Sequence, residues 1–137
     1  MAISNPGFSF NHVMLRVLDL DNALKFYRDI LGMEITRQRE YEGGRFTNTF
    51  LSFPGEEFAV ELTYNWDRKE PYTKGENVGH FALMVDNVVE TCGYLESQGV
   101  TIRTPPKVMN HGTRMLAFVY DFEDNLIELV EPLKDNE

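Results

Sequence analysis

The sequence predicts an α+β fold made of two tandem modules, each with the order strand, helix, strand, strand, strand. Three observations carry this. First, His12 and Glu61 stand 49 positions apart on strand-like segments, and His80 and Glu128 stand 48 apart on two more. Second, a glycine closes a helical pattern 20 residues after His12 (Gly32) and 19 residues after His80 (Gly99). Third, each histidine opens a short alternating apolar run of the kind a half-buried strand shows. The chain of 137 residues is read as one domain holding both repeats, about 10–66 and 78–132.

The elements follow in order. In the first run, His12-Val13-Met14-Leu15-Arg16-Val17, Val13, Leu15 and Val17 share one face while His12, Met14 and Arg16 share the other. Asp19 or Asp21 caps a helix carrying Ala23, Leu24, Phe26, Tyr27, Ile30 and Leu31, and Gly32 ends it. Strands are expected at about 34–41, 45–53 and 58–64, joined by turns at Gly43-Gly44 and Pro54-Gly55. The second half repeats the order. A strand spans 79–85. Asp86 or Asn87 then caps a helix whose apolar residues are Val88, Val89, Cys92 and Leu95. Strands follow at about 100–104, 114–120 and 126–131. The polar stretch from Asp67 to Val78, with Pro71 and Gly75, reads as a surface connection.

Composition excludes several functions. An apolar fraction of 42% with mixed charge is globular rather than disordered. A net charge of −9 argues against a nucleic-acid partner, yet leaves room for a small anionic ligand held by a few local cations. Residues 1–10 lack the basic start and apolar core of a signal peptide, and no run reaches the roughly 20 apolar residues of a membrane span. The single cysteine, Cys92, has no internal disulfide partner, which fits a reducing cytoplasm; its place in a helical pattern makes it a packing residue.

The candidate chemistry lies in the repeated pairs. Glu61 stands among Phe58, Ala59, Val60, Leu62, Tyr64 and Trp66, and Glu128 stands among Leu126, Ile127, Leu129 and Val130. A carboxylate there either faces solvent on an edge strand or is paired or bound to metal, because burying it alone is expensive. One histidine on a strand means little. Matching histidines and matching glutamates in both halves make His12, Glu61, His80 and Glu128 a candidate ligand set for one divalent ion. Imidazole and carboxylate without thiolate suit Zn²⁺, Ni²⁺, Co²⁺, Fe²⁺ or Mn²⁺. Four protein ligands leave open positions for water or substrate, and an ion so placed serves as a Lewis acid. Arg16 and Asn65 each lie four residues beyond a candidate ligand, so both point to the ligands' face about 13 Å further along. They read as a handle for the remote end of a substrate bearing a carboxylate, the alternative being a surface arginine in a salt bridge. His111 has no counterpart in the first half and reads as part of a loop at the ligand's edge.

The blocks His12-Val-Met-Leu-Arg-Val, Phe26-Tyr27…Leu31-Gly32-Met33, Glu61-Leu-Thr-Tyr-Asn-Trp, Gly79-His80 and Ile127-Glu128-Leu129 resemble the glyoxalase I (lactoylglutathione lyase) family of the vicinal-oxygen-chelate superfamily. The resemblance runs from about residue 10 to 132. It implies paired βαβββ modules in a homodimer with sites at the interface. His12 and Glu61 of one chain would meet His80 and Glu128 of the other around the metal, Ni²⁺ or Co²⁺ before Zn²⁺. The implied reaction converts the hemithioacetal of methylglyoxal and glutathione into S-lactoylglutathione. Glu128 would be the principal base and Glu61 its near-symmetric partner, with Arg16 and Asn65 holding the γ-glutamyl end. Two departures stand out. The family's usual Asp-Pro-Asp-Gly before the last strand reads Asp121-Phe122-Glu123-Asp124-Asn125 here, and the loop for the glycyl end reads Lys107 to Arg114. Lys107 and Arg114 are the candidate substitutes there. The competing readings are another metal enzyme of the superfamily (an epimerase, thiol transferase or dioxygenase) and a metal-free binding protein of the bleomycin-resistance kind.

Overall fold

A computed structural model describes residues 3–108 and 114–132. It has eight strands: β1 His12–Val17, β2 Glu34–Tyr41, β3 Phe46–Ser52, β4 Ala59–Asn65, β5 Phe81–Met84, β6 Ile102–Val108, β7 Met115–Tyr120 and β8 Leu126–Val130. Helix α1 runs Leu20–Leu24 and continues as a π-helical segment, Lys25–Ile30; helix α2 runs Val88–Ser97. The two halves form sheets of identical topology, β1-β4-β3-β2 and β5-β8-β7-β6. In each, the first strand lies parallel to the last, and the remaining neighbours are antiparallel.

Local signals explain most of these elements. The Asp19 carboxylate accepts the Asn22 N–H at 3.0 Å and starts α1; Asn87 does the same for α2 through the Glu90 N–H at 2.9 Å. Gly32 takes the positive φ of 85° that ends the first helix, a conformation free of strain only for glycine. The π-helical turn is not foreseen by a 3.6-residue period. There the Leu31 N–H reaches back five residues to the Phe26 carbonyl, and Phe26, Tyr27 and Ile30 are all buried.

Three expectations need correction. Val89 is 56% exposed, so the buried stripe of α2 is Val88, Cys92 and Leu95. Strand β6 runs on to Val108 through Pro105-Pro106, where a stop at about 104 is expected. It lies at the edge of its sheet, where a residue without an N–H leaves no ladder bond unmade. Finally, β4 and β8 are inner strands, which removes the reading of Glu61 and Glu128 as solvent-facing residues of edge strands.

Buried apolar residues of both halves form one cluster, from Val17, Phe26, Leu51 and Leu62 to Val88, Leu95, Val119 and Leu129. The turn that departs from the family pattern ties the halves together. Asp121 is 3% exposed and accepts the Glu123 and Asn125 N–H groups and the Tyr27 hydroxyl. Asp124 takes a φ of 63°, the role a glycine would otherwise fill. Phe122 packs edge-on against Phe26 at 5.3 Å, and the Glu123 carboxylate accepts the Leu18 and Asp19 N–H groups. The new residues therefore dock the second half onto the end of β1.

Burial, reinforced by the charge of Asp121, its hydrogen bond and Glu123, holds the Tyr27 hydroxyl well above its usual ionisation range. The folded state thus keeps a proton that the unfolded chain releases near about pH 10. Stability is expected to be unaffected by this group below that pH. Above it, stability falls by up to about 1.4 kcal/mol per pH unit. Urea melts of wild type and Tyr27→Phe between about pH 9 and about pH 11 check this, and equal alkaline slopes would contradict it.

Candidate metal centre

Alternation decides which side chains leave the core. On β1, Val13, Leu15 and Val17 pack inward, while His12, Met14 and Arg16 lie on the open face. On β4, Leu62 and Tyr64 pack inward, and Glu61, Thr63 and Asn65 take the open face. Parallel pairing sets Met14 directly beside Glu61. His12, two residues earlier, approaches the carboxylate diagonally, with Nε2 3.2 Å from Oε1. The second half repeats the diagonal. Ala82 stands beside Glu128, and His80, two residues earlier, places Nε2 3.3 Å from Oε1. In both pairs the imidazole is 38% exposed, and the carboxylates are 13% and 19% exposed.

These pairs suit a metal ion. Two donors each bound at about 2.0–2.2 Å stand about 2.8–3.1 Å apart at adjacent octahedral positions and about 3.3–3.6 Å apart at tetrahedral ones. The observed separations of 3.2 and 3.3 Å lie at the junction of these ranges. Asn11 adds a second sign. Its side-chain oxygen lies 2.6 Å from His12 Nδ1, and its carbonyl accepts the Ala59 N–H. With the proton on Nδ1, Nε2 is left free to ligate, the usual outer-shell arrangement for a metal-binding histidine. Among the described residues, no three His, Cys, Asp or Glu side chains converge on one point. Within a single chain, each half therefore presents a two-donor half-site.

One aromatic residue absent from the sequence reading stands at each half-site. Phe50 lies opposite Glu61 and meets the His12 ring edge-on at 5.4 Å. Phe118 lies opposite Glu128 and meets His80 at 5.0 Å. Each ring limits the imidazole's rotation and shields one side of it from water. Their spacings to the following glutamate, 11 and 10 residues, would have marked them as a third repeated element.

The open faces differ beyond the half-sites. The next row of the first sheet reads Arg16, Thr63, Asn48, Arg39. The matching row of the second reads Met84, Val130, Leu116, Lys107. One wall is thus polar and cationic; the other is apolar up to its edge strand. Thr63 donates to Asn48 at 2.9 Å, and Asn65 donates to the Tyr72 hydroxyl at 3.0 Å. Lys107 is exposed beside Leu116, and the Nε of Arg114 is buried without a hydrogen-bond partner among the described residues. His111 lies outside the described residues. A cavity of about 360 Å³ between α1 and the β7–β8 turn, lined by Lys25, Thr101 and Asp124, contains none of these groups.

Residues 9–129 match the Glyoxalase/Bleomycin resistance protein/Dioxygenase superfamily. The chain is 40% identical over 122 residues to a probable lactoylglutathione lyase of Synechocystis, covering 88% of this chain and 92% of that protein. It superposes on glyoxalase I from Zea mays with a TM-score of 0.81 and 36% identity. That alignment covers 90% of this chain and 47% of the maize chain, so the present chain spans about half the maize length. The trypanothione-dependent glyoxalase I of Leishmania major gives a TM-score of 0.78 at 30% identity, over 91% of this chain and 87% of that one. A matched fold, near-complete coverage by the family and relatives at this identity lead to one conclusion: the chain belongs to the glyoxalase I (lactoylglutathione lyase) family of the Glyoxalase/Bleomycin resistance protein/Dioxygenase superfamily.

Proposed function

We propose that this protein is a lactoylglutathione lyase, isomerising the hemithioacetal of methylglyoxal and glutathione to S-lactoylglutathione and so removing methylglyoxal. The observation that carries the reading is the pair of His–Glu half-sites with the same diagonal geometry, one of them beside a cationic wall. His12 and Glu61 of one subunit and His80 and Glu128 of a second subunit would hold one divalent ion, in a homodimer with two such sites. Two imidazoles and two carboxylates suit Ni²⁺ or Co²⁺, our first assignment, and accommodate Zn²⁺. When bound, the ion would supply Lewis-acid stabilisation of the negative charge that develops on the substrate.

The chain's own residues do the rest. Arg16 pairs with the carboxylate of the γ-glutamyl end, and Asn65 hydrogen-bonds beside it. Lys107 and Arg114 serve the glycyl end. The apolar wall of Met84, Leu116 and Val130 takes the methylglyoxal-derived part and keeps water from it. Glu128 removes the proton from the carbon bearing sulfur. The electron pair moves toward the neighbouring carbonyl, giving an enediolate. The proton returns to that second carbon, and the hydroxyl proton shifts to complete the thioester and the new alcohol. No oxidant or reductant is consumed. Glu61 stands on the other side as the near-symmetric acid–base partner.

The chain is taken to work in the cytoplasm as one domain of two repeats, 10–66 and 78–132. Among the described residues, no helix is long and apolar enough to cross a membrane.

The test is turnover by metal-stripped protein supplied with Ni²⁺, Co²⁺ or Zn²⁺, methylglyoxal and glutathione. S-lactoylglutathione should form with at least one ion, with Ni²⁺ or Co²⁺ giving the higher rate. Turnover with a different thiol alone would reassign the substrate and keep the chemistry. No turnover with any ion and any thiol would end the reading.

A further inference from the structure

Asn65 is the last residue of β4, on the open face two positions beyond Thr63, the residue beside Arg16. An amide has one accepting and one donating end, so its orientation decides which charge it can serve. Here one end is already engaged: Nδ2 donates to the Tyr72 hydroxyl at 3.0 Å. Tyr72 belongs to the connection between the halves, and a compact set of contacts brings it back to the strand end. The Arg68 N–H donates to the Asn65 carbonyl and closes a turn directly after β4. The Arg68 guanidinium then donates to the Glu70 carbonyl at 2.7 Å and the Pro71 carbonyl at 3.1 Å, and lies 4.3 Å from the centre of the Tyr72 ring. An arginine stacked on an aromatic face and bonded to two carbonyls holds both the ring and the loop. Trp66 fixes the other side of the turn, donating to Thr47 Oγ1 at 2.8 Å. Four residues after Glu128 the chain has Pro132 in place of Asn65, and Met84 in place of Arg16.

We propose that Tyr72 is a positioning residue whose hydroxyl accepts a hydrogen bond from Asn65 Nδ2 and so leaves Asn65 Oδ1 turned outward as an acceptor for an ammonium group on the ligand. The inference rests on the reading of Arg16 and Asn65 as the handle for the thiol's polar end. Arg16 matches a carboxylate, and a fixed Asn65 oxygen beside it matches the ammonium of the same amino-acid end. Tyr72 thereby makes the site selective for a thiol with a free α-amino group.

The test compares S-methylglutathione with its des-amino analogue, S-methyl glutaryl-cysteinyl-glycine, by calorimetric titration of metal-loaded wild type and Tyr72→Phe. Turnover of the corresponding hemithioacetals is measured separately. Tyr72→Phe should weaken S-methylglutathione binding, and raise KM, about three- to tenfold, the scale of one neutral hydrogen bond. Its kcat should change far less. For the des-amino ligand, the two proteins should bind alike. Equal weakening for both ligands would reduce Tyr72 to a structural prop and overturn the inference; so would no weakening for either. Turnover by wild type without amino-group selectivity sinks the role of Tyr72 alone. Absence of both turnover and S-methylglutathione binding sinks the underlying reading with it.

Discussion

Replacing Glu128 with Gln is expected to lower kcat by about 10³-fold at saturating metal, within the range that a positioned general base contributes. The substitution keeps the volume and hydrogen-bonding shape of the side chain but removes its capacity to accept a proton from carbon. Glu128 sits on the inner strand β8, between β5 and β7, with its carboxylate 19% exposed and His80 3.3 Å away. Its backbone bonds in the sheet are untouched by the change, so the melting temperature should stay close to wild type. Metal content is measured alongside, since weaker ligation is the obvious confounder. A fully loaded Glu128→Gln protein with wild-type turnover would exclude Glu128 as the base. The parallel Glu61→Gln variant ranks the two carboxylates: a larger loss there would exchange their roles.

Mixing two inactive variants should restore activity. A site built from His12 and Glu61 of one subunit and His80 and Glu128 of the other makes a clear forecast. In a dimer of one His12→Ala chain and one Glu128→Gln chain, one site collects both defects. The other site is wild type throughout. With random pairing half the dimers are mixed, so about a quarter of wild-type activity returns from two nearly inactive parents. Co-expression with two different affinity tags isolates the mixed dimer, which should reach about half. Sites assembled within single chains would give no recovery, because each chain would carry its own lesion. The divided geometry motivates the experiment: each half brings one imidazole to within 3.3 Å or less of one carboxylate, and no third such group joins either pair among the described residues.

Most elements were readable from local chemistry. Alternation over residues 12–17 sorted core-facing from open-facing side chains, the even offset from Glu61 to Asn65 set those two on one face, and caps at Asp19 and Asn87 with glycines at 32 and 99 bounded both helices. These features are set by neighbours within a few residues, where the periods of strand and helix act. Errors arose where distant contacts outweigh that signal. Val89 turns outward because the stripe of α2 is set by what packs on it; the Pro-containing end of β6 survives because no strand lies beyond it.

The sequence by itself determined which residues carry the candidate chemistry and which face of its strand each occupies, since both follow from residue type and a period of two. Tertiary structure alone decided how they meet. The parallel register that sets Met14 beside Glu61 and Ala82 beside Glu128 joins strands more than 40 residues apart, and it converts two His–Glu spacings into one repeated diagonal. The pairing of β3 with β4 and of β7 with β8 likewise placed Phe50 and Phe118 against the imidazoles. Such contacts depend on which strands become neighbours, and strand adjacency is settled by burial across the whole chain rather than by any local run of residues.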